Sequence, residues 1–285
     1  MAVNVSAVGS LEDRIRQFLA SHGIKLNTNL GQHFLIDEDI LHTIVETAAI
    51  EPGDRIIEIG PGIGVLTAEL LKRAQHVTTI EIDDRFLPLM EEYISASGVP
   101  LHEQNATGDK RQLTLIHGNA LKEALPEEPY KIVANIPYHI TSPLLRHVFM
   151  ESTQRPSSLT LLIQREVAEK ICSSEHRGLL TILVGLFGTP QFVCKVPSRA
   201  FLPPPAVESA VLHIVSHPIP LADPETIEQV FRLTKIAFGQ RRKMLRNTFS
   251  KLEGGPEALS ATGIDPTRRP ETLSVEEWIR VAGAF

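Results

Sequence analysis

The sequence predicts an α/β protein: a parallel sheet covered by helices on both faces, followed by a small all-helical domain. Three observations carry this. Short apolar runs alternate with helical stretches from Arg55 to Ile163. A glycine-rich turn, Gly60 to Gly64, joins the first of these runs to a helical stretch. After His217-Pro218-Ile219-Pro220, which reads as a linker, the pattern turns helical. The expected domains are residues 1–217 and 218–285.

The elements follow in order. Ser10 can cap a first helix that buries Leu11, Ile15, Phe18 and Leu19 and stops at Gly23. After a polar loop from Lys25 to Phe34, Asp37 can cap a second helix through Ala49. Pro52-Gly53-Asp54 is a turn, and Arg55 to Ile59 is a short buried strand. The glycine turn leads into a helix ending near Arg73. Val77 to Ile82 is a strand, and Arg85 to about Ser95 a helix that tolerates Pro88 only in its first turn. Residues 96–112 are polar and read as a surface insertion. Leu113 to Ile116 and Lys131 to Asn135 are strands, Thr141 to Met150 is helical, and Leu159 to Ile163 is a strand. Gln191 to Val196 and Ala210 to Val215 are later strands, separated by the stiff loop Phe201-Leu202-Pro203-Pro204-Pro205. Helices are expected at Pro224 to Phe238, Arg241 to Ser250, Glu257 to Thr262 and from Val275 onward.

Composition narrows the functional classes. An apolar fraction of 42% can build a sizeable core, and no run of ~18 apolar residues exists to span a membrane. Met1 to Gly9 lacks the basic start of a signal peptide. Two cysteines, Cys172 and Cys194, make neither a disulfide framework nor a metal-ligand spacing, and the histidines are scattered. The expectation is a cytoplasmic protein without a metal. The net charge of −6 argues mildly against a nucleic-acid partner. Its distribution softens this: residues 195–285 carry 12 basic and 10 acidic residues, residues 1–194 carry 16 and 24. The sharpest basic cluster is Arg241, Arg242, Lys243 and Arg246. By itself it reads as a solvated helix face.

The segment Glu58-Ile59-Gly60-Pro61-Gly62-Ile63-Gly64 ends a strand and opens a helix, where glycines let a ligand approach the backbone. It departs from the dinucleotide pattern, because Val65 stands where the third glycine would fall. No Gly-Lys-Ser/Thr follows, so a phosphate-binding loop is excluded. Glu81 ends the next strand about twenty residues on, where a carboxylate can accept both ribose hydroxyls. That acid serves dinucleotides and S-adenosylmethionine alike. The spacing of the glycines favours S-adenosylmethionine, which has no pyrophosphate to seat.

With these blocks in place, the chain closely resembles the ribosomal RNA adenine dimethyltransferases of the Ksg/Dim family, from about Leu30 to Asn247. Gly31-Gln32-His33-Phe34-Leu35 resembles the family's N-terminal motif, which closes over the methionine end of the cofactor. Glu58 to Gly64 resembles its first cofactor motif, and Glu81 its ribose ligand. Gly118-Asn119-Ala120-Leu121 stands where the family usually reads Gly-Asp-Ala. Asn135-Ile136-Pro137-Tyr138 resembles the catalytic loop, followed by Ile140-Thr141-Ser142-Pro143. Gln164 to Ala168, Phe201 to Val211 and Phe238 to Lys243 with Arg246-Asn247 complete the pattern.

The resemblance implies a class I S-adenosylmethionine-dependent methyltransferase: a Rossmann-like, mostly parallel seven-stranded sheet with one antiparallel strand. The implied cofactor is S-adenosyl-L-methionine, held by His33, Leu35, Glu58, Gly60, Gly62, Glu81, Ile82, Asn119, Ala120 and Asn135. The implied reaction puts two methyl groups on each of two adjacent adenosines near the 3′ end of 16S rRNA in the small subunit, and the enzyme is expected to act as a monomer. An exocyclic amine is a poor nucleophile, because its lone pair is delocalised into the ring. Asn135 and the main chain around Pro137 can hold its two hydrogens. Tyr138 can stack on one face of the flipped base and Phe201 on the other. Arg241, Arg242, Lys243 and Arg246 become an rRNA backbone site. Asn119 departs from the family's Asp, giving a hydrogen bond without charge assistance and weaker cofactor binding. Two alternatives stay open: a large-subunit rRNA adenine methyltransferase conferring macrolide resistance, and a non-catalytic ribosome-assembly or transcription factor.

Overall fold

The computed structural model describes residues 9–99, 101, 112–240 and 242–285. Most of the expected insertion at 96–112, the segment before Gly9, and Arg241 lie outside these residues. In chain order the elements are α1 (Leu11–Ser21), β1 (Phe34–Leu35), α2 (Glu38–Thr47), β2 (Arg55–Ile59), α3 (Val65–Leu71) and β3 (His76–Glu81). Then come α4 (Leu87–Ala96), β4 (Gln112–His117), β5 (Lys131–Asn135), α5 (Thr141–Arg146) and β6 (Ser158–Gln164). The chain continues through α6 (Arg165–Ile171), α7 (Leu179–Phe187), β7 (Gly188–Val196), β8 (Phe201–Leu202) and β9 (Ser209–Ser216). It closes with α8 (Pro224–Phe238), α9 (Leu245–Phe249), α10 (Gly255–Ala261) and α11 (Val275–Ala282).

The chain divides into two compact units, residues 1–165 with 192–214, and residues 166–191 with 215–285. The boundary read from the linker at 217 falls near the second crossing. The sequence gives no sign that residues 166–191 join the later helices. They do so because α7 is apolar on nearly every side and packs against α8 and α11. That all-round apolarity also hides α7 from a search for helical periodicity, so no helix was expected there.

The first unit is built on a seven-stranded sheet in the order β4-β3-β2-β5-β6-β9-β7. The five strands from β4 to β6 run parallel. Their side chains are buried on both faces at the centre: Ile56, Ile57, Ile132, Val133, Leu159 and Leu161 are almost wholly inaccessible. Strand order reverses between β2 and β5, so a crevice opens beyond the carboxyl ends of these two strands. Gly60 follows β2, and Asn135 is the last residue of β5. Around the sheet, α1 starts at a capping box in which Ser10 and Asp13 satisfy each other's main-chain N–H groups. Asp37 caps α2 by accepting from the N–H groups of Asp39 and Ile40.

Outside the main sheet, β1 and β8 form a two-residue antiparallel ribbon, Phe34 opposite Leu202 and Leu35 opposite Phe201. Such short strands carry no readable alternation, so neither is legible in the sequence.

The second unit packs around Trp278, which is fully buried against the rings of Phe238 and Phe249. Asp223 and Ser274 cap α8 and α11. The helix expected from Arg241 to Ser250 is shorter: residues 242–244 form a turn, closed by the Lys243 N–H on the Gln240 carbonyl, and α9 spans Leu245–Phe249.

Candidate active site

Two adjoining cavities open at the crevice of the first unit. The first is walled by the N-terminal segment Leu30 to Leu35, the turn Glu58 to Gly62, Glu81-Ile82, Gly118 to Ala120, and Asn135, Pro137, His139 and Ile140. All ten residues expected to hold the cofactor line it. The second is walled by Thr28, Gly31, His33, Asn135, Ile136, Tyr138, His139 and Gln164. Gly31, His33, Asn135 and His139 belong to both walls.

The glycine turn is shaped by contact as well as by conformation. Gly62 has φ +59°, and a Cβ there would overlap the ring of Phe34. Gly31 has φ +73°, and its Cβ would lie 2.8 Å from Cβ of Pro137. The N-terminal segment therefore lies directly on both the turn and the Asn135 loop, and only glycine fits at these two crossings.

Glu81 organises the same region. Its Oε2 accepts from the Gly62 N–H at 3.0 Å, and its Oε1 accepts from the N–H groups of Ile82 and Asp83, both at 2.9 Å. Oε1 is thereby saturated, and Oε2 keeps one acceptor position. Burial raises its carboxyl above the usual range, against the lowering effect of the three N–H donors. Next to it Ile82 is 59% exposed, an apolar surface at the cavity mouth that a flat ring could cover.

Glu58 is almost completely buried beneath the turn, and the Thr67 hydroxyl donates to its Oε2 at 2.6 Å. Burial pushes its carboxyl up to about 8, with a smaller contribution from the charge of Glu81. This shift favours the protonated form near neutral pH, hydrogen-bonded to Thr67.

At the base end, Asn119 Oδ1 accepts from the Leu121 N–H at 3.0 Å. That bond fixes which way the amide faces, because an N–H cannot point at an NH2 group. The atom left over is Nδ2, a donor.

A latch that no sequence pattern signals fastens the N-terminal segment. Gln32 Nε2 donates to Asp83 Oδ2 at 2.6 Å, while its Oε1 accepts from the Asn27 N–H at 2.7 Å. Arg85 grips the same carboxylate at 2.5 and 2.8 Å and reaches the Lys25 carbonyl at 3.2 Å. The Arg85 guanidinium holds the Asp83 carboxyl down to about 2. Asp83 follows the ribose-type acid by two residues, a position whose sequence carries no signal of its own.

The Asn135 loop is held at three points. Asn135 Nδ2 donates to the His33 carbonyl at 3.0 Å, so Oδ1 is the atom it offers to the cavities. The Pro137 carbonyl accepts from the Ile140 N–H at 3.1 Å. Tyr138 Oη lies 2.6 Å from Oγ of the fully buried Ser209. Burial raises the Tyr138 hydroxyl above its ordinary range.

Two expectations need correction. Phe201 is 2% exposed, sits in the core, and pairs with Leu35 across the ribbon. It lines neither cavity, and its ring packs in the core in this arrangement. The proline loop reaches the site differently: the Pro203 carbonyl lies 2.7 Å from Nδ1 of His33. The basic cluster does not form one helix face. Arg242 and Lys243 are exposed on the turn before α9, Arg246 is exposed on α9, and Arg241 lies outside the described residues.

Among the described residues, no group of three or more His, Cys, Asp or Glu side chains could hold a metal ion, and no helix is long and apolar enough to cross a membrane. The glycine cradle, the acceptor left on Glu81 and the apolar rim at Ile82 fit a nucleoside cofactor. Fold and site together define a class I methyltransferase that uses S-adenosylmethionine. The family model for ribosomal RNA adenine dimethylase matches residues 23–285. The chain belongs to that family.

The curated relatives agree with the assignment. A ribosomal RNA small subunit methyltransferase A from Dehalococcoides mccartyi is 39% identical, over 96% of this chain and 93% of its own. One from Enterococcus faecalis is 34% identical, over 95% and 94%. Among solved structures, a dimethyladenosine transferase from Plasmodium falciparum is 25% identical with TM-score 0.74, covering 87% of this chain and 96% of that one. The 23S rRNA methyltransferase ErmE is 27% identical with TM-score 0.70, covering 88% and 98%.

Proposed function

We propose that this chain dimethylates N6 of two adjacent adenosines near the 3′ end of small-subunit rRNA, with a role in small-subunit biogenesis. The observation that carries the proposal is the junction of the two cavities at Asn135. One cavity suits a nucleoside cofactor, the other a flat base, and a side-chain oxygen stands where they meet. The small-subunit choice is supported by the names of the curated relatives, which are 34–39% identical over nearly the whole chain, against 27% for the 23S enzyme.

S-adenosylmethionine supplies an electrophilic methyl group on a sulfonium. The protein has to present the amine to it. Asn135 Oδ1 accepts one amine hydrogen, and the main-chain oxygen of Ile136 accepts the other, because that of Pro137 is engaged by Ile140. Two acceptors draw the nitrogen toward tetrahedral geometry and free its lone pair. Tyr138, fixed by Ser209, holds the base face. No strong general base is needed, since the amine proton becomes acidic as the new C–N bond forms and passes to solvent. Alignment of this kind can lower a barrier by ~7–11 kcal/mol. The exposed Arg242, Lys243 and Arg246 contact the rRNA backbone in this reading.

The test is labelled methyl transfer to undermethylated small subunits and, in parallel, to large-subunit RNA, with products mapped by nuclease digestion and mass spectrometry. Dimethyladenosine at two adjacent small-subunit positions is the expected result. Label on large-subunit RNA alone would move the chain to the resistance methyltransferases. Tight subunit binding without transfer would leave an assembly role without chemistry.

A further inference from the structure

We infer that Gln164 reads the ring of the target base: its side-chain amide donates to a ring nitrogen beside the exocyclic amine, N1 or N7, and so selects adenine. Gln164 is the last residue of β6. On the neighbouring strand β5, Asn135 stands opposite Leu162 in parallel register. Side chains alternate along a strand, so Gln164, two residues beyond Leu162, projects from the same face of the sheet as Asn135. It stands about 6–7 Å further toward the carboxyl ends of the strands. Both residues line the second cavity, and of the two only Asn135 also lines the first.

The amide is available, and its main chain is fixed. Among the described residues no hydrogen bond holds the Gln164 side chain, although the residue is half-buried. The N–H of the next residue, Arg165, donates to the Glu208 carbonyl at 3.0 Å, and the Arg165 guanidinium pairs with the Glu208 carboxylate. Glu208 adjoins Ser209, whose Oγ lies 2.6 Å from Tyr138 Oη. The end of β6 and the ring of Tyr138 are therefore held by neighbouring residues.

The proposed chemistry leaves this donor a role. Asn135 Oδ1 and the Ile136 main-chain oxygen are acceptors, and they recognise amine hydrogens, which cytosine and guanine also carry. A donor recognises the lone pair of a ring nitrogen. At N1 it rejects guanine, whose N1 carries a hydrogen. At N7 it rejects cytosine, which has no such atom.

This inference rests on the reading that the second cavity takes the target base. It is tested with small subunits reconstituted from 16S rRNA whose 3′ segment is synthetic. The two target positions carry adenosine, 1-deazaadenosine or 7-deazaadenosine, each analogue replacing one ring nitrogen by C–H. The kcat/KM of methyl transfer is measured on each substrate for wild type, Gln164→Met and Gln164→Glu. Met is close in size without a donor, and an ionised Glu offers acceptors alone. On adenosine both variants should fall about 3- to 10-fold below wild type, the loss of one hydrogen bond. On one analogue wild type and Gln164→Met should react equally, because the partner atom is already gone, and that analogue names the nitrogen. On the other analogue the gap should persist. Both variants should keep wild-type S-adenosylhomocysteine affinity, which also reports that they fold.

A ratio of wild type to Gln164→Met that is the same on all three substrates would overturn the inference. So would full activity in Gln164→Glu, or a matching fall in S-adenosylhomocysteine affinity. Each of these results leaves small-subunit methylation by the wild type, and with it the proposed function, standing. Wild-type transfer to large-subunit RNA alone would sink the proposed function, and the same three-way comparison on a transcript of that RNA would decide the role of Gln164. Transfer to neither RNA would overturn both.

Discussion

The side-chain amide of Asn135 donates to the main-chain oxygen of His33 at 3.0 Å, a link across 102 residues between the last residue of a central strand and the N-terminal segment. It sets the orientation of the amide and hence the position of Oδ1. The acceptor that the proposed chemistry uses is aimed by a part of the chain distant in sequence.

Replacing Asn135 by Ala removes that acceptor. We expect kcat to fall by about 10²-fold or more, in line with the loss of one preorganised polar partner of a reacting group. Binding of S-adenosylhomocysteine should change far less. Single-turnover kinetics beside calorimetric titration would separate the two, and equal losses would assign Asn135 a structural role.

Asn119→Asp should tighten cofactor binding about 5- to 10-fold, worth ~1 kcal/mol. Asn119 Oδ1 is engaged by the Leu121 N–H, and the remaining atom is a donor. Asp would add a second, charged acceptor for an adenine amino group. Isothermal titration with S-adenosylhomocysteine reads this directly, and unchanged or weaker binding would refute it.

Glu58 should make stability depend on pH. Its carboxyl is raised from 4.5 to about 8 in the folded protein. The folded state keeps this proton over a window in which the unfolded chain has released it. The contribution is therefore fully present below about 4.5 and lost as pH rises toward about 8, by up to ~1.4 kcal/mol per pH unit. Glu58→Gln keeps an acceptor for Thr67 and cannot ionise. Thermal unfolding should show the variant gaining on wild type as pH rises across that window, whereas parallel curves would contradict the assignment.

Tyr138→Phe keeps a flat ring but leaves the buried Ser209 hydroxyl without its 2.6 Å partner. It should lower stability by ~1–3 kcal/mol, and adding Ser209→Ala should restore most of this. Denaturant unfolding of the two single variants and the double variant forms the cycle. Activity should follow the ring, so Tyr138→Ala should lose far more turnover than Tyr138→Phe.

Neutralising Arg242, Lys243 and Arg246 to Gln should flatten the salt dependence of small-subunit binding. Each lost phosphate contact lowers the slope of log K against log salt by roughly 0.7–0.9. All three are exposed, so their replacement should leave the fold intact. An unchanged slope would remove this surface from the interface.

What the sequence determined by itself was local. Arg55 to Ile59 and Lys131 to Asn135 read as strands and are strands to the residue, because a short, densely apolar run flanked by turns has few other solutions. Pro224 to Phe238 likewise carries its own start, with Asp223 before a proline at the first turn. The glycine turn, Glu81 and Asn135 were legible because the chemistry of a nucleoside site constrains residue type and spacing. The tertiary structure alone decided what each of these residues faces. Phe201 looked like a base-stacking ring and is core, since a two-residue ribbon with Leu35 turns it inward. His33 lines both cavities, and the carbonyl of Pro203, 170 residues away, holds its ring. Contacts between residues a hundred or more positions apart depend on how strands are ordered and loops cross, and no local pattern encodes that order.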